Sequence, residues 1–149
     1  MLEIAEVIVD VPTLQTNNPH EFKIPKYLQE DIAVGMRVIV PFGRGDRRVQ
    51  GFVTGLKENQ IFAGELKEIS SVMDLEPVLN DELIKLVEWM AQTTYSFRIS
   101  SYQTMLPAVL RATYEKVVKI TDSVSEEALF DIFRGKDWIS WEDVEKRNL

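Results

Sequence analysis

Residues 40–53 read VPFGRGDRRVQGFV and predict a β-hairpin with a positively charged tip. Apolar residues precede and follow a short turn, and the turn contains two glycines and three arginines. The flanking residues extend the apolar pattern, which predicts strands over 35–43 and 49–56. The tip is unexpected, because the chain of 149 residues has a formal charge of −7 and a pI of about 4.8.

Three further segments alternate between apolar and polar residues in the way that strands do. They cover residues 3–11, 20–25 and 65–74. In the second segment His20, Phe22 and Ile24 share one side, and Glu21 and Lys23 share the other. Five short strands before the first helix are typical of a small barrel or a strongly bent sheet.

The period changes after Asn80, which is a good N-cap for a helix over residues 81–95. Trp89 falls on the polar side of this helix, where we expect it to pack against a neighbouring element; a ligand contact is the alternative. A second helix over 99–106 is expected to end at Pro107. The predicted fold class is α+β, a barrel-like domain of five to six strands with one or two C-terminal helices.

The composition shifts near Ala112, which predicts two domains, 1–111 and 112–149. In the second, residues 125–133 have a helical pattern, and Ser140 and Asp143 are spaced like a capping box. This segment of 38 residues is too short to bury a core of its own, so we expect a fragment of a longer protein.

The composition excludes several kinds of chemistry. The chain has no cysteine and one histidine, His20, so thiolate chemistry is absent and a zinc site is not expected. No phosphate-binding loop of the GxxxxGK[ST] type occurs, and Gly43-Arg44-Gly45 lacks the third glycine of a dinucleotide loop. Neither a signal peptide nor a membrane span is visible, which favours a cytoplasmic location. We expect no catalytic residue in this fragment.

The arginine-rich tip has two interpretations. Between residues 37 and 57 there are five cations and one anion. The turn either keeps a hairpin soluble or contacts phosphates, for which guanidinium groups have a suitable planar geometry. In the second interpretation the phosphate contacts are Arg44, Arg47, Arg48 and Lys57.

Longer stretches of the chain resemble the N-terminal domain of the PriA family of primosomal replication-restart helicases. The resemblance rests on AEVIVDVP, HEFKIP, GMRVIVPFGRGDRRVQGFV, LKEISSVMDLEPVLNDELIKLVEWMAQTTY and MLPAVLR, in order over residues 4–111. Residues 112–149 resemble the start of the winged-helix domain that follows in this family. The resemblance implies recognition of the 3′ end of the leading strand at stalled replication forks, without reading of base sequence.

The resemblance also implies a set of site residues. The family pocket contains an aromatic–acid–aromatic run, usually Phe-Asp-Tyr, together with the hairpin glycine and a later lysine. The matching residues here are His20, Glu21, Phe22, Gly43 and Lys67. Glu21 keeps the carboxylate that can accept a hydrogen bond from a 3′-hydroxyl, and His20 and Phe22 keep rings that can stack on bases.

For the whole protein the resemblance implies an ATP-dependent 3′→5′ DNA helicase that uses ATP, Mg and Zn outside this fragment. The implied partners are forked or single-stranded DNA with a free 3′-hydroxyl, the helicase lobes of the same chain, primosome proteins and single-stranded-DNA-binding proteins. The alternative function is a protein-interaction or interdomain scaffold without DNA contact, in which Trp89 and the acidic C-terminal segment form the contact surface.

Overall fold

The computed structural model describes residues 2–58, 65–111, 117–119 and 138–146. The chain divides into two compact units, residues 1–112 and residues 113–149. Within the described residues, no helix has both the length and the apolar character needed to cross a membrane.

The first unit is built on a five-stranded antiparallel sheet with the strand order β2-β1-β4-β3-β5. The strands are β1 (Leu2–Val9), β2 (His20–Lys23), β3 (Arg37–Phe42), β4 (Arg47–Glu58) and β5 (Ser71–Val72). The hairpin predicted from the opening sequence is β3–β4, in which Phe42 pairs with Arg47 next to the turn. The longest strand, β4, lies between β1 and β3 and therefore holds the sheet together.

The two edges of the sheet are joined by the segment that leads into β5. The Lys23 amide donates to the Lys67 carbonyl at 2.9 Å, and the Ile69 amide donates to the Lys23 carbonyl at 3.0 Å. A few residues later, the Ser70 amide donates to the Ile39 carbonyl of β3 at 2.8 Å. Because this segment bonds to both β2 and β3, the sheet curls into a barrel, as the sequence predicted.

Apolar residues of the first unit form two layers. The inside of the barrel contains Ala5, Val7, Val9, Phe22, Ile24, Ile32, Val38, Val40, Val53 and Ile69. A second layer lies between the sheet and the helices and contains Ile8, Phe52, Leu79, Val87, Ile99, Tyr102 and Leu106. Strand β1 contributes to both layers, which explains why its sequence is apolar on both faces.

Two helices, α1 (Asp81–Thr94) and α2 (Arg98–Met105), cover the outer layer. The Asn80 side chain accepts a hydrogen bond from the Leu83 amide at 2.9 Å, so the predicted N-cap is confirmed. Val87 and Ala91 are the buried residues of α1. Trp89 is 61% exposed, so the expectation that it packs against a neighbouring element is wrong.

Arg37 is buried at the start of β3 and does not belong to the charged surface of the tip. Its Nε donates to Asp74 Oδ2 at 3.0 Å, its backbone amide donates to the same oxygen at 2.8 Å, and Nη1 donates to the Leu110 carbonyl. The count of five cations near the tip therefore included one structural residue. Arg37 instead connects the barrel to the segment that follows α2.

The second unit is described over β6 (Val117–Lys119), β7 (Trp138–Ser140) and α3 (Trp141–Lys146), with β6 and β7 antiparallel. The Asp143 amide donates to Ser140 Oγ at 3.2 Å, which confirms the serine half of the predicted capping box. The helix predicted over 125–133 lies outside the described residues. The winged-helix assignment of 112–149 stays a prediction.

Candidate nucleic-acid interface

The hairpin tip turns through three residues with positive φ. Gly43 has φ 73°, Gly45 has φ 81° and Asp46 has φ 49°, all in the left-handed region. Short side chains such as that of aspartate tolerate this region, which explains the composition of the turn. The three predicted phosphate-binding arginines of the tip, Arg44, Arg47 and Arg48, are exposed.

Lys67 connects the tip to the segment that closes the barrel. Its Nζ donates to the Gly43 carbonyl at 3.1 Å and lies 2.6 Å from Asp46 Oδ1. The main-chain bonds of residues 67 and 69 to Lys23 place the same segment beside β2. The structure thus brings together Gly43 and Lys67, two of the residues that the resemblance implied.

His20 begins β2 and lies against the same hairpin. Its ring meets the ring of Phe42 edge to face, with 5.1 Å between centroids, and Phe42 immediately precedes Gly43. The His20 side chain is partly buried, and its Nδ1 has no hydrogen-bond partner among the residues that the structure describes. His20 therefore contacts the residue that precedes Gly43 in the hairpin.

Phe22 occupies a different environment from the other predicted site residues. It is 3% exposed and belongs to the inner layer of the barrel. Its ring face is filled by protein atoms, so it supports the site by packing behind β2. A stacking contact between Phe22 and a base does not fit this arrangement.

Glu21 points away from His20 and Phe22, because β2 pairs regularly with β1 without a bulge. Its cross-strand partner is Glu6, and Lys57 lies between the two carboxylates. Lys57 Nζ is 2.6 Å from Glu6 Oε1 and 3.1 Å from Glu21 Oε1. Lys57, expected to contact phosphate, is instead paired with two acids.

Charge pairing alters the titration of Lys57. Hydrogen bonds to Glu6 first, and to Glu21 second, raise the pKa of the Lys57 ammonium group. Since a lysine is already protonated at neutral pH, the raised pKa extends the protonated state of Lys57 further into the alkaline range. The three charges together carry −1, so the surface around Glu21 remains acidic.

Gly55 of β4 makes this cluster possible. It is the register partner of Glu6, and a Cβ at position 55 would lie 2.4 Å from Glu6 Oε2. The missing side chain leaves room for the Glu6 carboxylate to lie over β4 and reach Lys57. Sequence reasoning did not identify Glu6 as a site residue; its signal was the polar position on β1 directly opposite Glu21.

The predicted residues therefore form two groups on the two sides of β2. Gly43, Lys67 and His20 lie on the hairpin side, and Glu21 lies on the other side with Lys57. Among the described ranges, no cluster of three or more potential metal ligands occurs.

Comparison with known proteins defines the class of this fold and site. The family model described as the PriA 3′DNA-binding domain (3′BD) matches residues 6–107. The replication restart protein PriA of Bacillus subtilis (strain 168) is 49% identical over 120 residues, which are 80% of this chain and 15% of that protein. The chain belongs to the PriA 3′DNA-binding domain family. It spans about 15% of the length of this relative.

Proposed function

We propose that the first unit binds the 3′ end of a DNA strand without reading its base sequence, and that Glu21 recognises the terminal 3′-hydroxyl. The observation that carries the proposal is that the Glu21 carboxylate is both held in place and accessible to solvent. Its side chain is held by Lys57 at 3.1 Å and is still 28% exposed. A carboxylate in a fixed position with a free lone pair can accept a hydrogen bond from a hydroxyl group.

Chemical differences between strand ends and strand interiors give the selectivity. A terminal 3′-hydroxyl donates a hydrogen bond to the Glu21 carboxylate, whereas an internal nucleotide has a negative phosphodiester at the same position. That phosphodiester meets a cluster of net charge −1 and is repelled, which disfavours the wrong ligand. Lys57 orients the carboxylate of Glu21 in this arrangement, and the exposed arginines of the tip take the phosphate contacts.

The hairpin side of β2 supplies contacts that do not depend on base identity. Arg44, Arg47 and Arg48 attract the backbone phosphates, and the His20 ring offers a surface for stacking. Gly43 and Lys67 set the position of the tip relative to β2 through the 3.1 Å contact. Such contacts position a strand without specifying its sequence.

For the parent protein we propose a role in replication restart at stalled forks, in the cytoplasm at the nucleoid. The name of the Bacillus subtilis relative supports this role. The proposed parent is an ATP-dependent 3′→5′ helicase in which residues 112–149 begin a winged-helix domain. Its helicase lobes, primosome proteins and single-stranded-DNA-binding proteins are the proposed partners.

The test compares oligonucleotides of one sequence that end in a 3′-hydroxyl or a 3′-phosphate, with fluorescence anisotropy as the measurement. We expect the wild-type chain to prefer the hydroxyl by about tenfold, which corresponds to one hydrogen bond to a charged group. Glu21→Gln should bring the ratio of the two dissociation constants close to one. Equal wild-type affinities for both ends would overturn the proposal.

Two control variants separate end recognition from general charge effects. Glu82→Gln removes one exposed carboxylate from α1 and should leave the ratio unchanged. Arg47→Ala should weaken binding of both oligonucleotides equally and reduce the salt dependence by about 0.7 in the logarithmic slope. A change in the ratio in either control would assign the selectivity to net charge.

A protein-interaction surface is the second candidate function. Leu86 is 42% exposed and Trp89 is 61% exposed, one helical turn apart on α1. Exposed tryptophans are enriched at protein interfaces. Failure of the chain to bind any DNA at low ionic strength would favour this function.

A further inference from the structure

The Lys67 ammonium group is occupied in the DNA-free structure. It contacts Asp46 Oδ1 at 2.6 Å and the Gly43 carbonyl at 3.1 Å, which uses two of its three donors. The contact with Asp46 lies on the surface, since 45% of the Lys67 side chain and 67% of the Asp46 side chain are exposed. Exposed ion pairs of this kind are weak and exchange readily.

Asp46 is also the one acidic residue within the tip sequence 43–48, where three arginines surround it. Its backbone has φ 49°, which Asn adopts as readily as Asp. The backbone conformation of the turn is therefore compatible with an uncharged asparagine at position 46. The carboxylate therefore has an electrostatic effect that the geometry of the turn does not require.

We propose that the Asp46 carboxylate is an internal competitor for DNA, which occupies Lys67 where a phosphate oxygen binds and is displaced when a strand arrives. The inference rests on the proposed function in assigning DNA as the ligand. During the exchange Lys67 keeps its hydrogen bond to the Gly43 carbonyl, and a phosphate oxygen replaces the Asp46 carboxylate oxygen as its ionic partner. Binding at Lys67 is therefore weaker than its charge alone would give, and only a strand that also contacts the arginines displaces Asp46 efficiently.

Asp46→Asn tests this inference because it removes the competing charge and preserves the backbone. The probes are two single-stranded oligonucleotides, one with a 3′-hydroxyl and one with a 3′-phosphate, titrated at several salt concentrations. We expect severalfold tighter binding of both, and a logarithmic salt slope steeper by about 0.7. In wild type the displaced Asp46 carboxylate takes up a cation, which offsets the counterion released by the phosphate that Lys67 binds, and asparagine takes up none. Glu82→Gln has the same change in net charge and should show neither effect.

A double-mutant cycle distinguishes competition at Lys67 from a general charge effect. Asp46→Asn should have no effect on affinity in a Lys67→Met background, with thermal unfolding confirming that each variant is folded. A gain that persists in that background, or a single variant that binds like wild type or more weakly, would overturn the inference.

The same measurements separate this inference from the proposed function. If wild type binds both strand ends equally, recognition of the 3′-hydroxyl fails, while a gain from Asp46→Asn on both probes would still support competition. If neither wild type nor Asp46→Asn binds DNA at low salt, both proposals fail.

Discussion

Three ion pairs in the first unit differ in burial, and their energetic consequences differ accordingly. Arg37 and Asp74 side chains are each 7% exposed, Lys57 and Glu21 are partly exposed, and Lys67 and Asp46 are largely exposed. Removing one partner from a buried pair leaves a charge without solvent or counterion, whereas an exposed partner is rehydrated. The first pair should therefore be structural, and the other two remain available for ligand binding.

Asp74→Ala should reduce the free energy of unfolding by about 3–5 kcal/mol, because Arg37 stays buried without its counterion. The Arg37 backbone amide also loses its acceptor. Urea denaturation monitored by circular dichroism gives the measurement.

Glu68→Ala is the matched control for this change. Glu68 pairs with Lys23 at 3.6 Å, and its side chain is 57% exposed. Its removal should change the unfolding free energy by less than about 1 kcal/mol. Similar losses in the two variants would contradict a special role for the buried pair.

At this scale the sequence predicted part of the site. Alternation in β2 correctly predicted that Glu21 and Phe22 lie on opposite faces of the strand, because the strand is regular. It did not predict that Lys57 binds Glu21, since that contact depends on the register between β1 and β4 and on the space above Gly55. Registers of distant strands are set by the tertiary structure and are not visible in a local pattern.

Among the elements, the connection into β3 depends on one glycine. Gly35 has φ 90°, its amide donates to the Val53 carbonyl at 2.8 Å, and its carbonyl accepts from the Val78 amide at 3.1 Å. A Cβ at this position would lie 2.0 Å from the Leu79 carbonyl oxygen. Strand β4 and the segment before α1 therefore both contact a residue that cannot carry a side chain.

Gly35→Ala should destabilise the domain by more than Gly43→Ala, which is a matched change at another positive φ. Gly43 has φ 73° and open space where a Cβ would be, so only backbone strain of about 1–2 kcal/mol is expected. At Gly35 a clash with backbone adds to that strain. Thermal unfolding of both variants compares them; equal melting temperatures would contradict the close approach to Leu79.

Elements with strong local signals were predicted well, and the others were not. Asn80 and the helical period predicted α1, because capping and amphipathicity are local properties. The strand predicted over 65–74 is only Ser71–Val72 in the structure, with a separate parallel contact of Glu68 to Lys23. Its residues divide their hydrogen bonds between β2 and β3, and alternation in one segment cannot show this.

For the whole first unit, Tyr102 connects the helices to the barrel. It is 1% exposed and stacks on Phe52 of β4, with ring centroids 5.1 Å apart. Burial, with a smaller contribution from the Glu88 carboxylate, raises the pKa of the Tyr102 hydroxyl. This hydroxyl has no hydrogen-bond partner within the part of the chain that the structure describes.

The stability of the first unit should decrease as the pH rises above about 10, the ordinary pKa of tyrosine. In the unfolded chain Tyr102 then loses its proton, whereas the folded chain keeps it, so alkaline pH favours unfolding by up to about 1.4 kcal/mol per pH unit. Tyr102→Phe should flatten this dependence. Urea midpoints between about pH 8 and pH 11 give the measurement.

Lys57 contributes in the same direction, because its raised pKa gives stability below the ordinary lysine value that is lost at higher pH. Lys57→Met therefore serves as a second comparison. An unchanged alkaline slope in Tyr102→Phe would contradict the buried state of the hydroxyl.

The main-chain bonds between Lys23 and residues 67 and 69 have a consequence for how the domain opens. They close the barrel and also hold the Lys67 segment beside β2, so one set of amides serves both the architecture and the candidate interface. Local fluctuations cannot detach that segment from β2 without also breaking the main-chain hydrogen bonds that close the barrel. The interface is therefore expected to persist until the domain melts cooperatively, and ligand recognition should involve side-chain exchange on a rigid frame.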